Sequence, residues 1–232
     1  MRVVIAVLVI TGACRSGFDA PLDLGEDAAP QADAPISTEL FTVGERDGTD
    51  LSGVTVDTTI KDVDPDTNHS GASFLGAWPD VSGVPTEPGL VRFQLSAIAG
   101  RVVVAATLTL SIHPDLAMGL EGESVAVHEI AESWIPAEVT YNMRSATEAW
   151  ASAGAGDDSR GGVIASELVN KASGSFDLAL DATAVQSWID SPDQNFGVAL
   201  VSSTDGAWLA SANYGTDSFR PLLTLELVSL ND

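Results

Sequence analysis

The sequence predicts an all-β protein, a two-sheet antiparallel β-sandwich of the jelly-roll type with one or two short helices. Three observations carry this expectation. Short runs alternate apolar and polar residues with period two, turn residues separate those runs, and one segment carries a convincing helical pattern. Of the 232 residues, 45% are apolar and 19% charged, which is ample for a core. Half-apolar strands with few helices to cover them bury their apolar faces by packing sheet on sheet.

The chain opens with Met1-Arg2, an apolar run Val3–Ile10, and Thr11-Gly12-Ala13-Cys14. A positive start, a short apolar stretch and small residues before a cut site describe an export signal. Its apolar stretch is well short of the roughly 20 residues that span a bilayer core. The Gly12-Ala13-Cys14 ending resembles a bacterial lipobox, although Thr11 stands where Leu is usual. That resemblance implies a lipoprotein signal peptide over residues 1–13 and lipid attachment at Cys14. Several acyl chains on one residue anchor a protein stably, where a single chain does not. Arg15 follows the cysteine where Asp would favour inner-membrane retention, so the expected location is the outer membrane or cell surface. Membrane contact is then through the Cys14 lipid only.

Residues 14–39 form an expected acidic, Pro/Ala-rich tether. They hold Asp19, Asp23, Glu26, Asp27, Asp33 and Glu39 with Pro21, Pro30 and Pro35, and show no apolar period. The domain is expected over residues 40–232. Within it Val91, Phe93 and Leu95 alternate with polar residues, as do Leu108, Leu110 and Ile112, then Phe176, Leu178 and Leu180, then Leu223, Leu225 and Leu227. Residues 54–60, 124–130, 196–202 and 208–212 are further strand candidates. Asp64-Pro65-Asp66, Val84-Pro85, His113-Pro114-Asp115 and Pro192-Asp193 punctuate the gaps. Asp181 or Thr183 caps a short helix with Val185, Trp188 and Ile189 on one face. Ser145-x-x-Glu148 is a weaker capping signal.

A net charge of -23 at pH 7 argues against nucleic acid and anionic membrane surfaces as partners. The single cysteine excludes a disulfide framework and a multi-thiolate metal site. No GxSxG elbow and no phosphate-binding loop occurs, and the cysteine belongs to the anchor, so no catalytic residue is assigned. His69, His113 and His128 lack zinc-site spacing.

Several segments in order resemble one family: Thr59-Ile60 with a loop ending Asn68-His69-Ser70-Gly71, then Gly89–Ser96, Ala106–Leu110, and Val125-Ala-Val127 leading to Glu132-Ser-Trp134. Val139–Asn142, Leu180–Thr183 with Val185-x-x-Trp188, Phe196–Leu200 and Arg220–Leu225 complete the set. Residues 50–228 are thereby similar to DNRLRE-domain proteins, also grouped as carbohydrate-binding module family 96. The DNRLRE hexapeptide itself is absent, and Tyr141 replaces a common Trp. The resemblance implies an exported, non-catalytic β-sandwich, of which some relatives bind alginate. Bases are scattered here among many acids, so a polysaccharide that is neutral, or acidic and bridged by calcium, is the expected partner. The alternative is a structural or adhesive envelope protein that contacts another protein and has no affinity for glycans.

Sugar rings stack their C–H faces on flat aromatic rings. Trp134 and Trp188 are expected in the core, whereas Trp78, Trp208, Asn213 and Tyr214, near turns, are the candidate glycan contacts. Asp62, Asp64, Asp66 and Asn68 place oxygens at every second residue, as calcium loops do, and form the candidate metal site. That run lacks the Gly and Glu positions of an EF-hand loop.

Overall fold

Alternating leucines fold into strands because a pleated backbone sends successive side chains to opposite faces. The computed structural model describes residues 37–44, 55–81, 83–116 and 118–228. Cys14, the expected signal peptide and the tether through residue 36 lie outside the described residues. The strands are β1 (Thr38–Val43), β2 (Thr55–Thr59), β3 (Phe74–Val81), β4 (Val84–Pro85), β5 (Gly89–Phe93) and β6 (Val103–Ser111). They continue with β7 (Leu120–Ile130), β8 (Arg160–Lys171), β9 (Ser175–Leu180), β10 (Val198–Ser202), β11 (Ala207–Ala210) and β12 (Leu222–Val228). Strand β1 starts at Thr38, two residues inside the stretch expected as tether.

One sheet runs β1-β12-β6-β9, antiparallel throughout. In the second, β10 pairs with β7 along one edge, and β7 pairs with β8. The other edge of β10 is shared: Val198–Leu200 pair with β5, while Val201 and Ser202 run parallel to Trp78 and Pro79 of β3. Strand β2 continues the sheet beyond β5, and β11 beyond β3. With β1, β5, β6, β7, β8, β9, β10 and β12 taken as eight successive strands, the two sheets read 1-8-3-6 and 2-7-4-5. That is jelly-roll order. The architecture agrees with the expected sandwich, apart from the one parallel pair.

Between the sheets lie Leu108, Leu110, Leu178, Leu223, Leu225 and Leu227 from one side, with Leu75, Val91, Val125, Val127 and Leu200 from the other. Each such side chain contributes about 1.5–3 kcal/mol. Intervening residues of the second sheet point the opposite way and are buried as well. Leu90 and Ala199 meet Trp134, Val139, Tyr141 and Trp150 from the 131–159 connection, which forms a second core on the outer face. Trp134 and Trp188 are thus both core residues, in different clusters. Trp134 donates its indole N–H to Phe196 O at 2.7 Å, and Trp188 donates to Glu129 Oε1 at 3.0 Å.

Helix α1 (Ala182–Asp190) buries Val185, Trp188 and Ile189 as the i, i+3, i+4 spacing requires. Asp181 Oδ1 accepts from Thr183 N at 2.7 Å and from Ala184 N at 3.4 Å, so Asp181 is the cap and Thr183 is not. We expect Asp181→Ala to cost about 1 kcal/mol, read as a lower urea midpoint at unchanged slope. A smaller effect would make tertiary packing the sole support of the helix.

Three local expectations need correction. Ser145-x-x-Glu148 starts no helix: Ser145 N donates to Glu148 O at 3.3 Å in a turn, and Arg144 pairs with Glu148 at 3.1 Å. The Gly/Ala/Ser-rich stretch 152–162 reads by composition as a loop, yet residues 160–162 already belong to β8. The strand is anchored there by Arg160, whose side chain is 1% exposed and pairs with Asp80 and Asp157 at 2.8 and 2.7 Å. Trp78, expected near a turn, lies instead with residues 76–80 in the middle of β3, because Leu75 and Ala77 feed the core on alternate positions.

Candidate functional site

A pocket of about 260 Å3 opens along β2, the edge strand of the larger sheet. Its lining is Thr55, Val56 and Asp57 from β2, Ser70 from the loop after it, Pro136 and Ala137 from the 131–159 connection, and Ala212 and Asn213 from beyond β11. Four separate stretches of chain therefore meet there. Val56 turns towards the outer core, while Thr55 and Asp57 share the opposite side of the strand.

Asp57 is 4% exposed. Ala212 N–H donates to its Oδ2 at 2.6 Å, and its Oδ1 has no hydrogen-bond partner among the described residues. Thr55 Oγ1 is likewise buried without a partner. Burial pushes the Asp57 carboxyl up to about 7, and the Ala212 N–H offsets only part of that rise. A buried polar group left unpaired costs about 1–3 kcal/mol, so two side by side in one pocket require an explanation.

The walls are held by side chains that sequence reasoning assigns to other roles. Asn68 Nδ2 donates to Pro136 O and to Val139 O, both at 2.7 Å. Asn68 Oδ1 accepts from Ser70 N at 3.2 Å and from Ser70 Oγ at 2.6 Å. Asn213 Nδ2 then donates to Ser70 O at 2.9 Å, and Asn213 N donates to Ser211 Oγ at 3.0 Å. Asn68 and Asn213 thus tie three of the four stretches together, and Asn213 also lines the pocket.

The other oxygens of the candidate calcium loop turn to separate tasks. Asp64 Oδ1 accepts from Thr67 Oγ1 at 2.7 Å, and Asp66 Oδ1 accepts from Asn142 Nδ2 at 2.9 Å. Asp66 and Asn68 dock the loop onto the 131–159 connection, while Asp64 braces the loop itself. Among the described residues, no three His, Cys, Asp or Glu side chains converge on a point that holds a metal ion.

Trp78 and Trp208, 130 positions apart, meet edge-to-face with centroids 5.6 Å apart, and Phe74 continues the row at 4.7 Å from Trp208. All three are half-buried. Their flat faces are largely occupied. Lys61 Nζ sits 4.3 Å from the Trp208 ring centroid and is itself paired with Glu87 at 3.5 Å. Trp78 lies flat on Gly206, where a Cβ would collide with the indole. Tyr214 is elsewhere: its hydroxyl donates to Asp115 Oδ2 at 3.0 Å, and its ring meets His113 at 4.8 Å. The four candidate glycan contacts therefore divide into an aromatic row, a tyrosine cluster and the pocket residue Asn213.

Sequence reasoning misses Thr55, Asp57, Pro136 and Ala137. The available signal is an acid in the 54–60 strand, but period-two alternation places it with Thr55 and Thr59 on an apparent solvent face. No family model matches the chain, and no curated protein matches it.

Proposed function

We propose that this protein is a non-catalytic, exported module, lipid-anchored through Cys14, that binds the end of a polysaccharide in the Thr55–Asp57–Asn213 pocket. One observation carries the reading: Asp57 and Thr55, whose Oδ1 and Oγ1 have no hydrogen-bond partner among the described residues, line a small open pocket whose other surfaces include Val56, Pro136, Ala137 and Ala212. A sugar presents hydroxyl donors on its rim and C–H groups on its faces, and so matches both kinds of surface. The volume lies below the roughly 300–1,000 Å3 of drug-sized sites, which suits one residue of a chain rather than several. The resemblance to DNRLRE-domain proteins and the export signal support the same class. Contact is shallow and weak per site, and many anchored copies add avidity.

The test is a panel of neutral and acidic polysaccharides against the purified protein, with and without calcium. Retention of one polymer class is expected, reduced at least tenfold by Thr55→Val or Asn213→Ala and little affected by Trp208→Ala. Loss of retention in Trp208→Ala with the pocket variants unchanged would move the site to the aromatic row. No retention on any polymer would favour the envelope-protein reading.

A further inference from the structure

The chemistry around Asp57 narrows the ligand class, and this step rests on the pocket being a glycan site. Among the described residues the pocket draws on four stretches, and these give the groups that face Asp57 across it. Strand β2 gives Thr55 and Val56, the following loop Ser70, the 131–159 connection Pro136 and Ala137, and the segment after β11 Ala212 and Asn213. On the neighbouring strand β5, Val91 stands opposite Asp57, and Arg92, opposite Val56, lies over the Trp134 ring. Among the described residues, no base and no second acid lines the pocket. Asp57 is thus, among the described residues, a buried carboxyl without a counter-ion; its Oδ1 has no hydrogen-bond partner there, and the residue lines the pocket.

Such a group constrains a ligand by charge. A uronic acid, sulfate or phosphate would bring a second negative charge beside a buried carboxyl, with no base among the described lining residues to receive it, on a chain of net charge -23. A neutral hydroxyl supplies a donor but leaves the carboxylate, once ionised, without a compensating charge. A primary ammonium supplies both donor and charge, and charge-assisted hydrogen bonds are about twice as strong as neutral ones. Thr55 stands two residues along on the same side of β2, so its Cα lies about 6–7 Å from that of Asp57. A six-membered ring bridges that span, with an amine at one side and a hydroxyl at the other. We propose that the pocket receives an amino sugar, its ammonium paired with Asp57 Oδ1 and a ring hydroxyl with Thr55 Oγ1.

The proposal carries a pH signature. Pairing needs an ionised carboxyl, and burial holds Asp57 protonated until about pH 7. Affinity therefore rises as pH increases from 5 towards 7.5. A neutral sugar shows no such rise.

The experiment measures affinity of the full-length protein by calorimetry for glucosamine, glucose, N-acetylglucosamine and ethylammonium, at pH 5.5 and 7.5. Glucosamine is expected to bind at least tenfold tighter than the others at pH 7.5, with that advantage lost in Asp57→Asn. Thr55→Val should weaken glucosamine several-fold and leave ethylammonium unchanged. Equal binding of glucose and glucosamine overturns the ammonium assignment and leaves the pocket as a sugar site. Ethylammonium as tight as glucosamine overturns the sugar frame. Silence from all four probes, with polysaccharide retained elsewhere on the protein, overturns the proposal and the placement of the site together.

Discussion

Asp57→Asn is expected to stabilise the protein by about 4 kcal/mol at pH 8 and to change nothing at pH 3. The reasoning is linkage. Asp57 has an ordinary carboxyl pKa of 3.8 unfolded and about 7 folded. A group whose folded pKa is raised binds its proton more tightly when folded. Its contribution is therefore fully present below pH 3.8 and is lost as pH rises through 7. The folded and unfolded chains differ by about three powers of ten in proton affinity at this carboxyl. Each power of ten is worth about 1.4 kcal/mol, which gives the stated magnitude at alkaline pH. Asparagine keeps an acceptor for Ala212 N–H and never ionises, so the variant has a flat profile over that window. Glu123 acts in the opposite direction. Its carboxylate accepts from Ser203 Oγ, Thr204 N, Thr204 Oγ1 and Asp205 N, and those bonds hold its pKa down to about 2. That stability is present above about pH 4.5 and is lost as pH falls towards 2. The wild-type melting temperature should therefore peak near pH 4–5 and decline to pH 8, and the alkaline decline should vanish in Asp57→Asn. A decline that persists in the variant would assign it to another group.

The expected gain from Asp57→Asn also bears on function. An acid that costs stability at neutral pH, in a strand where Val or Thr would pack, is what a binding site retains for a ligand. This is where the sequence stops being legible. Alternation reports which residues share a face, and it correctly places Leu108, Leu110, Leu178, Leu223 and Leu225 between the sheets. It does not report what covers the other face. The 131–159 connection folds over the second sheet and buries Leu90 and Ala199 there, and on the opposite side of β2 Asp57 stands across from Val91 and is itself buried, where alternation alone reads an acid as facing solvent. Trp78 fails for a related reason. Gly76, Pro79 and Asp80 are turn residues by propensity, yet β3 carries them because Leu75 and Ala77 fill the core and Gly76 admits the Glu87 carbonyl, which a Cβ would strike. Local spacing also identifies Asp181, Val185, Trp188 and Ile189 correctly, since a cap and one helical face are determined within a few turns of chain.

Asn68 separates a metal-ligand role from a clamping role more sharply than any other position. As a calcium ligand it would offer Oδ1, so Asn68→Asp would add charge and strengthen binding. As a clamp it works through Nδ2, which satisfies the carbonyls of Pro136 and Val139. Aspartate has no donor to replace that amide, and it turns a carboxylate oxygen towards two carbonyl oxygens. A buried carbonyl left unpaired costs about 1–3 kcal/mol and these two hydrogen bonds are half-buried, so both Asn68→Asp and Asn68→Ala should lose about 2–4 kcal/mol. Because Pro136 is a wall of the pocket and Ser70 is held by Asn68 Oδ1, the glycan retention proposed for that pocket should fall with stability in both variants. The measurement is urea unfolding of wild type, Asn68→Asp and Asn68→Ala in millimolar calcium and in chelator. The clamp requires the aspartate variant to be weakened in both buffers. Rescue of Asn68→Asp by calcium alone would restore the metal site and displace the clamp, because only a ligand bound to the folded state shifts stability by mass action.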